Sequence, residues 1–153
     1  PPWGGAASES GAVASIATAG YTLQVCFLYW AVVARRIGVP EWGPPDWSAV
    51  YYVGVGHNLG SPWGGWVALH HPGVCKILTA GGLAFEAVLP LALLTLPYTS
   101  AWRIAIVAAT LGFHAGVSVL TTLWLFPLTS GAAMAAFLPP CFWSWATRER
   151  ARL

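Results

Sequence analysis

Of the 153 residues of this chain, 57% are apolar, only 8% carry a charge, and the formal net charge is +2. Soluble domains contain about 25% charged residues, so this chain has too few to cover a water-facing surface and belongs to the membrane class. The basic residues form no stripe, so we expect membrane lipids and no nucleic acid as partners.

The first 34 residues predict a connector followed by a transmembrane helix. Residues 1–11 are small, polar and rich in Pro and Gly, as in a connector. Residues 12–34 form an uncharged run that can cross a hydrocarbon core of about 30 Å at about 1.5 Å per residue. Arg35 and Arg36 end this predicted span. Because the chain does not begin with Met, we expect a fragment or a processed form of a larger protein.

Residues 41–71 read as an interfacial loop with one or two short helices lying on the membrane. The segment contains several Gly and Pro residues and four Trp, and Trp is enriched where a membrane meets water. Asp46 is the predicted cap of DWSAVYYV, and Ser61-Pro62 are predicted to begin the next helical turn.

Three further spans follow, over residues 73–96, 101–126 and 128–145, and residues 148–153 form a basic C-terminal tail. We therefore predict an all-α integral membrane protein of about four transmembrane helices, in one domain over residues 12–147.

Four spans place both termini on one side of the membrane. Four basic residues are predicted on the side of the termini: Arg103, Arg148, Arg150 and Arg152. Three are predicted on the other side: Arg35, Arg36 and Lys76. The positive-inside rule then favours cytoplasmic termini.

Glu86 and His114 are single ionisable residues near the middle of the second and third spans. A charged side chain at that depth costs about 2.5–3.5 kcal/mol on insertion scales, so each is a functional-site hypothesis. The antiparallel spans put them within about 6 Å of the same depth. They predict a catalytic pair in which the carboxylate orients the imidazole, directly or through water. The alternative is a hydrogen bond that only joins two helices.

Two other groups of residues are candidate sites. Ala108, Gly112 and Gly116 recur every fourth residue, which predicts close helix packing in preference to a cavity. Arg35 and Arg36 are placed to bind an anion, a lipid headgroup or an anionic substrate group. The alternative is a pair of basic side chains that extend to the membrane surface.

Three stretches of the chain, in order, carry a family resemblance. LQVCFLYWAVVARRIGVPEW contains Arg36 and then Trp42, LTAGGLAFEAVLPLALL contains Glu86, and LGFHAGVSVLTTLWLFPLTS contains His114. This set, within residues 23–143, resembles the horizontally transferred transmembrane (HTTM) domain of the vitamin K-dependent γ-carboxylase-like proteins.

The resemblance implies a polytopic membrane fold whose site faces the outer side or a lumen, with Arg36 and Trp42 in a substrate- or anion-binding group. In the carboxylases, a lysine at the position of Arg36 is implicated as the base that deprotonates vitamin K hydroquinone. Arginine stays protonated and cannot act as that base, so we expect this chain not to be a competent carboxylase.

Three functions stay open on the sequence. The first is a small accessory or scaffolding subunit of a larger complex in the bacterial inner membrane, holding a lipid, quinone or pigment near Glu86 and His114. The second is a carboxylase-like enzyme that acts on a quinone or lipid through Glu86, His114 and the two arginines. The third is a haem- or chlorophyll-binding subunit with His114 as axial ligand.

Overall fold

A computed structural model of the protein describes residues 16–95 and 99–150, the last five of these by their backbone alone. In this part of the chain the regular structure is helical, and the one strand-like pairing is an isolated bridge between Gly60 and Thr121. Some residues of the predicted elements lie outside the described part of the chain. These are the predicted connector, residues 12–15 and 96 of the predicted spans, and residues 151–153 of the predicted tail.

Seven α-helices are described, and residues 148–150 of the predicted tail continue the last of them. In chain order they are α1 (Ile16–Arg36), α2 (Ala49–Val55), α3 (Pro62–His70), α4 (Pro72–Thr95), α5 (Ser100–Leu120), α6 (Leu125–Ala135) and α7 (Pro140–Arg150).

Helices α1, α4 and α5 contain 21, 24 and 21 residues and are long and apolar enough to cross a membrane. At about 1.5 Å per residue each reaches about 30 Å, the thickness of a hydrocarbon core. Together with the shorter apolar helix α6 they confirm the prediction of an all-α integral membrane protein.

The third and fourth predicted spans differ from the helices observed. Helix α5 ends at Leu120 instead of continuing to residue 126, because the Thr122 N–H leaves the helical pattern and donates to the Leu59 carbonyl at 2.9 Å. The predicted span 128–145 is divided between α6 and α7. Helix α6 has 11 residues, about 16 Å of helix, and two consecutive prolines, which lack N–H groups, mark the boundary with α7.

A small apolar core joins the long helices to α6. Its members come from α1, α4, α5 and the α6 region: Val25, Cys26, Tyr29, Leu89, Leu93, Ile106, Val107, Met134 and Phe137. Trp30 adds a hydrogen bond from its indole N–H to the Ala87 carbonyl at 3.3 Å, between α1 and α4. Much of the remaining surface of the long helices is exposed and apolar, as a lipid-facing surface requires.

Helices α2 and α3 form a hairpin over residues 49–70 that packs against α4 and α5. A Cβ atom on Gly64 would overlap the Leu120 carbonyl at the end of α5, so this close approach requires glycine. Helix α3 begins at Ser61-Pro62, as predicted, and Ser61 caps it by accepting from the Gly64 N–H at 2.9 Å.

The predicted cap of α2 at Asp46 is wrong. The N-cap residue is Ser48, whose side chain makes no capping bond. Instead, the Val50 N–H at the start of α2 donates to Thr79 Oγ1 of α4 at 3.1 Å. The cap therefore comes from a neighbouring helix, which the local sequence does not reveal.

Candidate ligand-binding site

The Glu86 carboxylate of α4 forms an ion pair with Arg36, the last residue of α1. Arg36 Nη1 donates to Glu86 Oε2, and the two side chains are 26% and 7% exposed. Buried charges require such partners, because removal from water is costly for each ion.

Trp42 completes this polar cluster. Its ring lies 3.9 Å from the guanidinium carbon of Arg36, as a cation–π contact. The turn after α1 makes the contact geometrically possible, since Gly38 has a φ of +83°, in the left-handed region that glycine favours. Arg36, Trp42 and Glu86 therefore lie together, whereas Arg35 points to an exposed position.

His114 of α5 is paired with Tyr29 of α1. The Tyr29 hydroxyl lies 2.9 Å from His114 Nε2, and the two residues are 4% and 1% exposed. The other imidazole nitrogen, Nδ1, is buried with no hydrogen-bond partner among the described residues. Phe126 packs edge-on against the imidazole at 5.1 Å between ring centroids, so the ring is enclosed.

The structure shows no direct hydrogen bond between Glu86 and His114 in the part of the chain that it describes, where each group has a different partner. A contact between the two groups through water stays a prediction. Both partners, Tyr29 and Arg36, come from α1. Sequence reasoning missed Tyr29. A signal was present, since Tyr29 and Arg36 are seven residues apart, which places them on the same face of a helix, two turns apart.

A cavity of about 410 Å³ lies between the α2–α3 hairpin, α4 and α5. Most of its wall is apolar, with Val53 and Val67 from the hairpin and Phe113 and Val117 from α5. Arg36, Trp42 and Glu86 form a polar part of the same wall. Ligand pockets have volumes of about 300–1,000 Å³, apolar walls and a few placed polar groups, so this cavity has the properties of a binding site.

The stripe of Ala108, Gly112 and Gly116 does not pack against another helix of the described chain. Ala108 is exposed, and a Cβ atom built on Gly112 or Gly116 would meet no atom within 4 Å. Both glycines line the cavity, because α5 packs through a different face that includes Ile106 and His114. We predicted that this stripe packs against another helix in preference to lining a cavity, and within the described chain that prediction is wrong. Packing of the stripe against another subunit stays a prediction.

His114 is poorly placed to ligate a macrocycle. Its Nε2 atom is bonded to Tyr29, its side chain is enclosed, and it does not line the cavity. The residues present therefore do not fit a haem or chlorophyll bound through His114.

These features define an integral membrane protein of α-helices with an apolar cavity whose wall includes a partly buried ion pair. Comparisons of the chain with protein-family models, with curated proteins and with solved structures found no match. The resemblance to the HTTM family stays a prediction.

Proposed function

We propose that this protein binds one lipid-soluble amphipathic molecule, a lipid or a quinone, in the cavity beside Arg36 and Glu86. In this proposal it is a small accessory subunit of a larger complex in the bacterial inner membrane, of the HTTM type. The observation that carries the proposal is the cavity of about 410 Å³ with the ion pair in its wall. The apolar wall receives the hydrophobic part of the ligand, and the ion pair orients its polar end.

Binding is better supported than turnover. Arg36 stays protonated and cannot act as a base, and the Glu86 carboxylate is held in an ion pair. His114, the predicted partner in proton transfer, is bonded to Tyr29 and does not line the cavity. The carboxylase-like alternative therefore has one of its two proton-handling residues outside the site.

The exposed apolar surface supports the accessory role, and the distribution of basic residues supports the orientation in the membrane. The exposed apolar side chains of α1, α4 and α5 suit contact with lipid and with other membrane subunits. The distribution of basic residues favours cytoplasmic termini and an external α2–α3 hairpin.

Blocking the cavity tests ligand binding. Gly112→Leu adds a side chain to the cavity wall, where a Cβ atom meets nothing within 4 Å. Gly81→Leu is the matched control, because Gly81 is also a helical glycine with nothing within 4 Å but does not line the cavity. We expect gently extracted wild type and Gly81→Leu to carry one lipid or quinone per chain by native mass spectrometry, and Gly112→Leu to carry none.

Equal ligand content in the two variants would refute the cavity as the site, and wild type without any ligand would refute the proposed binding. The same spectra test the subunit role, since stoichiometric partner chains support it and a ligand-bound monomer contradicts it. Visible absorption bands lost in His114→Leu would instead support the pigment alternative.

A further inference from the structure

We infer that the cavity selects an uncharged headgroup that can both accept and donate a hydrogen bond, over an anionic headgroup. An alcohol, an amide, a glyceryl group or the hydroxyl of a reduced quinone has this chemistry. An oxidised quinone only accepts, and a carboxylate, sulfonate or phosphate carries a negative charge. The inference rests on the proposed function and specifies the class of ligand for the same cavity.

The charges on the cavity wall are already balanced. Among the described lining residues, Arg36 and Glu86 carry the only formal charges, and they neutralise each other. The α2–α3 hairpin contributes Val50, Val53, Gly54, Gly64 and Val67 to the wall, and none of these is charged. From α5 to Phe126 the lining side chains are also uncharged. The cavity therefore has no excess positive charge to attract an anion.

An anionic headgroup would have to compete with Glu86 for Arg36. Glu86 is almost fully buried, and separating it from Arg36 leaves an uncompensated carboxylate in apolar surroundings. Breaking one buried ion pair in this way is strongly unfavourable. A headgroup without charge avoids this competition and leaves the ion pair intact.

The ion pair still has hydrogen-bonding capacity for such a headgroup. A guanidinium has five N–H donors and a carboxylate has about four acceptor positions, whereas the pair uses one bond between Nη1 and Oε2. Trp42 covers a face of the guanidinium, so the remaining N–H groups act from its edge. A donor (Arg36) and an acceptor (Glu86) thus stand side by side in the wall, which matches a group that accepts and donates together.

Two photoreactive probes with the same chain test this selectivity. The first is a dodecanol and the second a dodecanesulfonate, each with a diazirine in the alkyl chain and each added to the full chain in phosphatidylcholine nanodiscs. Labelling is measured by mass spectrometry and corrected for the cavity-blocked Gly112→Leu variant. We expect the alcohol to label wild type more than about tenfold better than the sulfonate.

Glu86→Gln should reverse this preference, because it leaves the Arg36 charge without its counter-ion while preserving the shape of the side chain. Arg35→Gln is the control, since Arg35 is exposed and outside the cavity, and it should leave the preference unchanged. The double variant Arg36→Gln/Glu86→Gln has a neutral wall. We expect it to keep the preference for the alcohol, so it tests the inference even if the single variant does not fold.

A wild-type preference for the sulfonate would overturn the inference, and so would a folded Glu86→Gln protein whose preference is unchanged. A double variant that prefers the sulfonate would also overturn it. If neither probe labels wild type above the Gly112→Leu background, the proposed function fails as a whole. That result is distinct from a failure of headgroup selectivity alone.

Discussion

At the scale of residues, one face of α1 provides the partners of the two ionisable groups that the sequence singles out. Arg36 pairs with Glu86 of α4, and Tyr29 pairs with His114 of α5. Polar groups in a membrane are expensive when unpaired, because neither lipid nor apolar side chains can replace the lost hydrogen bonds with water. The two contacts therefore fix how α1 packs against α4 and α5.

Tyr29→Phe tests the contribution of the buried hydroxyl. It leaves both nitrogens of His114 without a protein partner among the described residues, and we expect a loss of about 1–3 kcal/mol in the free energy of unfolding. Denaturant unfolding in detergent micelles measures it.

Tyr21→Phe is the matched control for this substitution. The Tyr21 hydroxyl donates to the Ala133 carbonyl at 2.7 Å, but the residue is 36% exposed, against 4% for Tyr29. We expect the control to lose less than about 1 kcal/mol. Equal losses in the two variants would show that the Tyr29–His114 hydrogen bond contributes no more to the unfolding free energy than the exposed Tyr21–Ala133 hydrogen bond.

At the scale of elements, the α2–α3 hairpin depends on α4 and α5 for contacts that its own residues do not supply. The start of α2 is capped by Thr79 of α4, and the Ser61 N–H and hydroxyl before α3 both donate to carbonyls at the end of α5, at 3.2 and 2.5 Å. Helices of 7 and 9 residues are too short to be stable alone. Their position over the cavity is therefore set by tertiary contacts.

Thr79→Val removes the cap of α2 with little change of shape. Thr79 and Thr110 are both fully buried, and both donate to the carbonyl four residues earlier, Cys75 and Ile106 respectively. Only Thr79 also accepts from the Val50 N–H. We expect Thr79→Val to lose about 1 kcal/mol of unfolding free energy relative to Thr110→Val. Hydrogen exchange should also increase at Val50, and unchanged exchange there would contradict the proposed cap.

Gly64→Ala tests the close approach of α3 to α5. Its Cβ atom would overlap the Leu120 carbonyl, which belongs to the backbone and cannot rotate away. We expect a loss of about 3 kcal/mol in unfolding free energy, at the upper end for overpacking. The adjacent Gly65→Ala is the control, because its Cβ atom would lie at an ordinary 3.4 Å from the Gly54 carbonyl. A similar stability for the two variants would refute glycine-dependent packing.

At the scale of the whole molecule, three long apolar helices alternate in direction and place the α2–α3 hairpin at one end. The hairpin connects the end of α1 with the start of α4, and it also contacts the end of α5. The cavity is consequently at this end of the helices, and its exposure to one side of the membrane follows from the orientation of the chain.

Cysteine labelling in intact bacterial cells tests that orientation. In a Cys141→Ser background the remaining cysteines are buried. We expect Asn58→Cys, in the turn between α2 and α3, to react with a membrane-impermeant maleimide from outside. Ser100→Cys, at the start of α5, should react only after lysis. The opposite pattern would place the hairpin in the cytoplasm.

Composition and local pattern were sufficient to predict the membrane class and the all-α fold. They also predicted the position of α4, and that of α5 as far as Leu120, because the length of an apolar run decides whether a segment can cross a bilayer. The start of α3 at Ser61-Pro62 was also predictable, since a Ser followed by Pro is a local signal. The end of α5 was not predictable from its own residues, because Thr122 leaves the helix to bond Leu59, which is distant in sequence.

The candidate site also has a part that was predictable from the sequence and a part that was not. The sequence by itself identified Arg36, Glu86 and His114, because ionisable residues stand out in an apolar chain, and the family resemblance added Trp42. Only the tertiary structure decided their partners, since a hydrogen bond between helices depends on how the helices pack. It also decided that Gly112 and Gly116 line a cavity, because a stripe of small residues permits close packing but does not require a neighbour to fill the space.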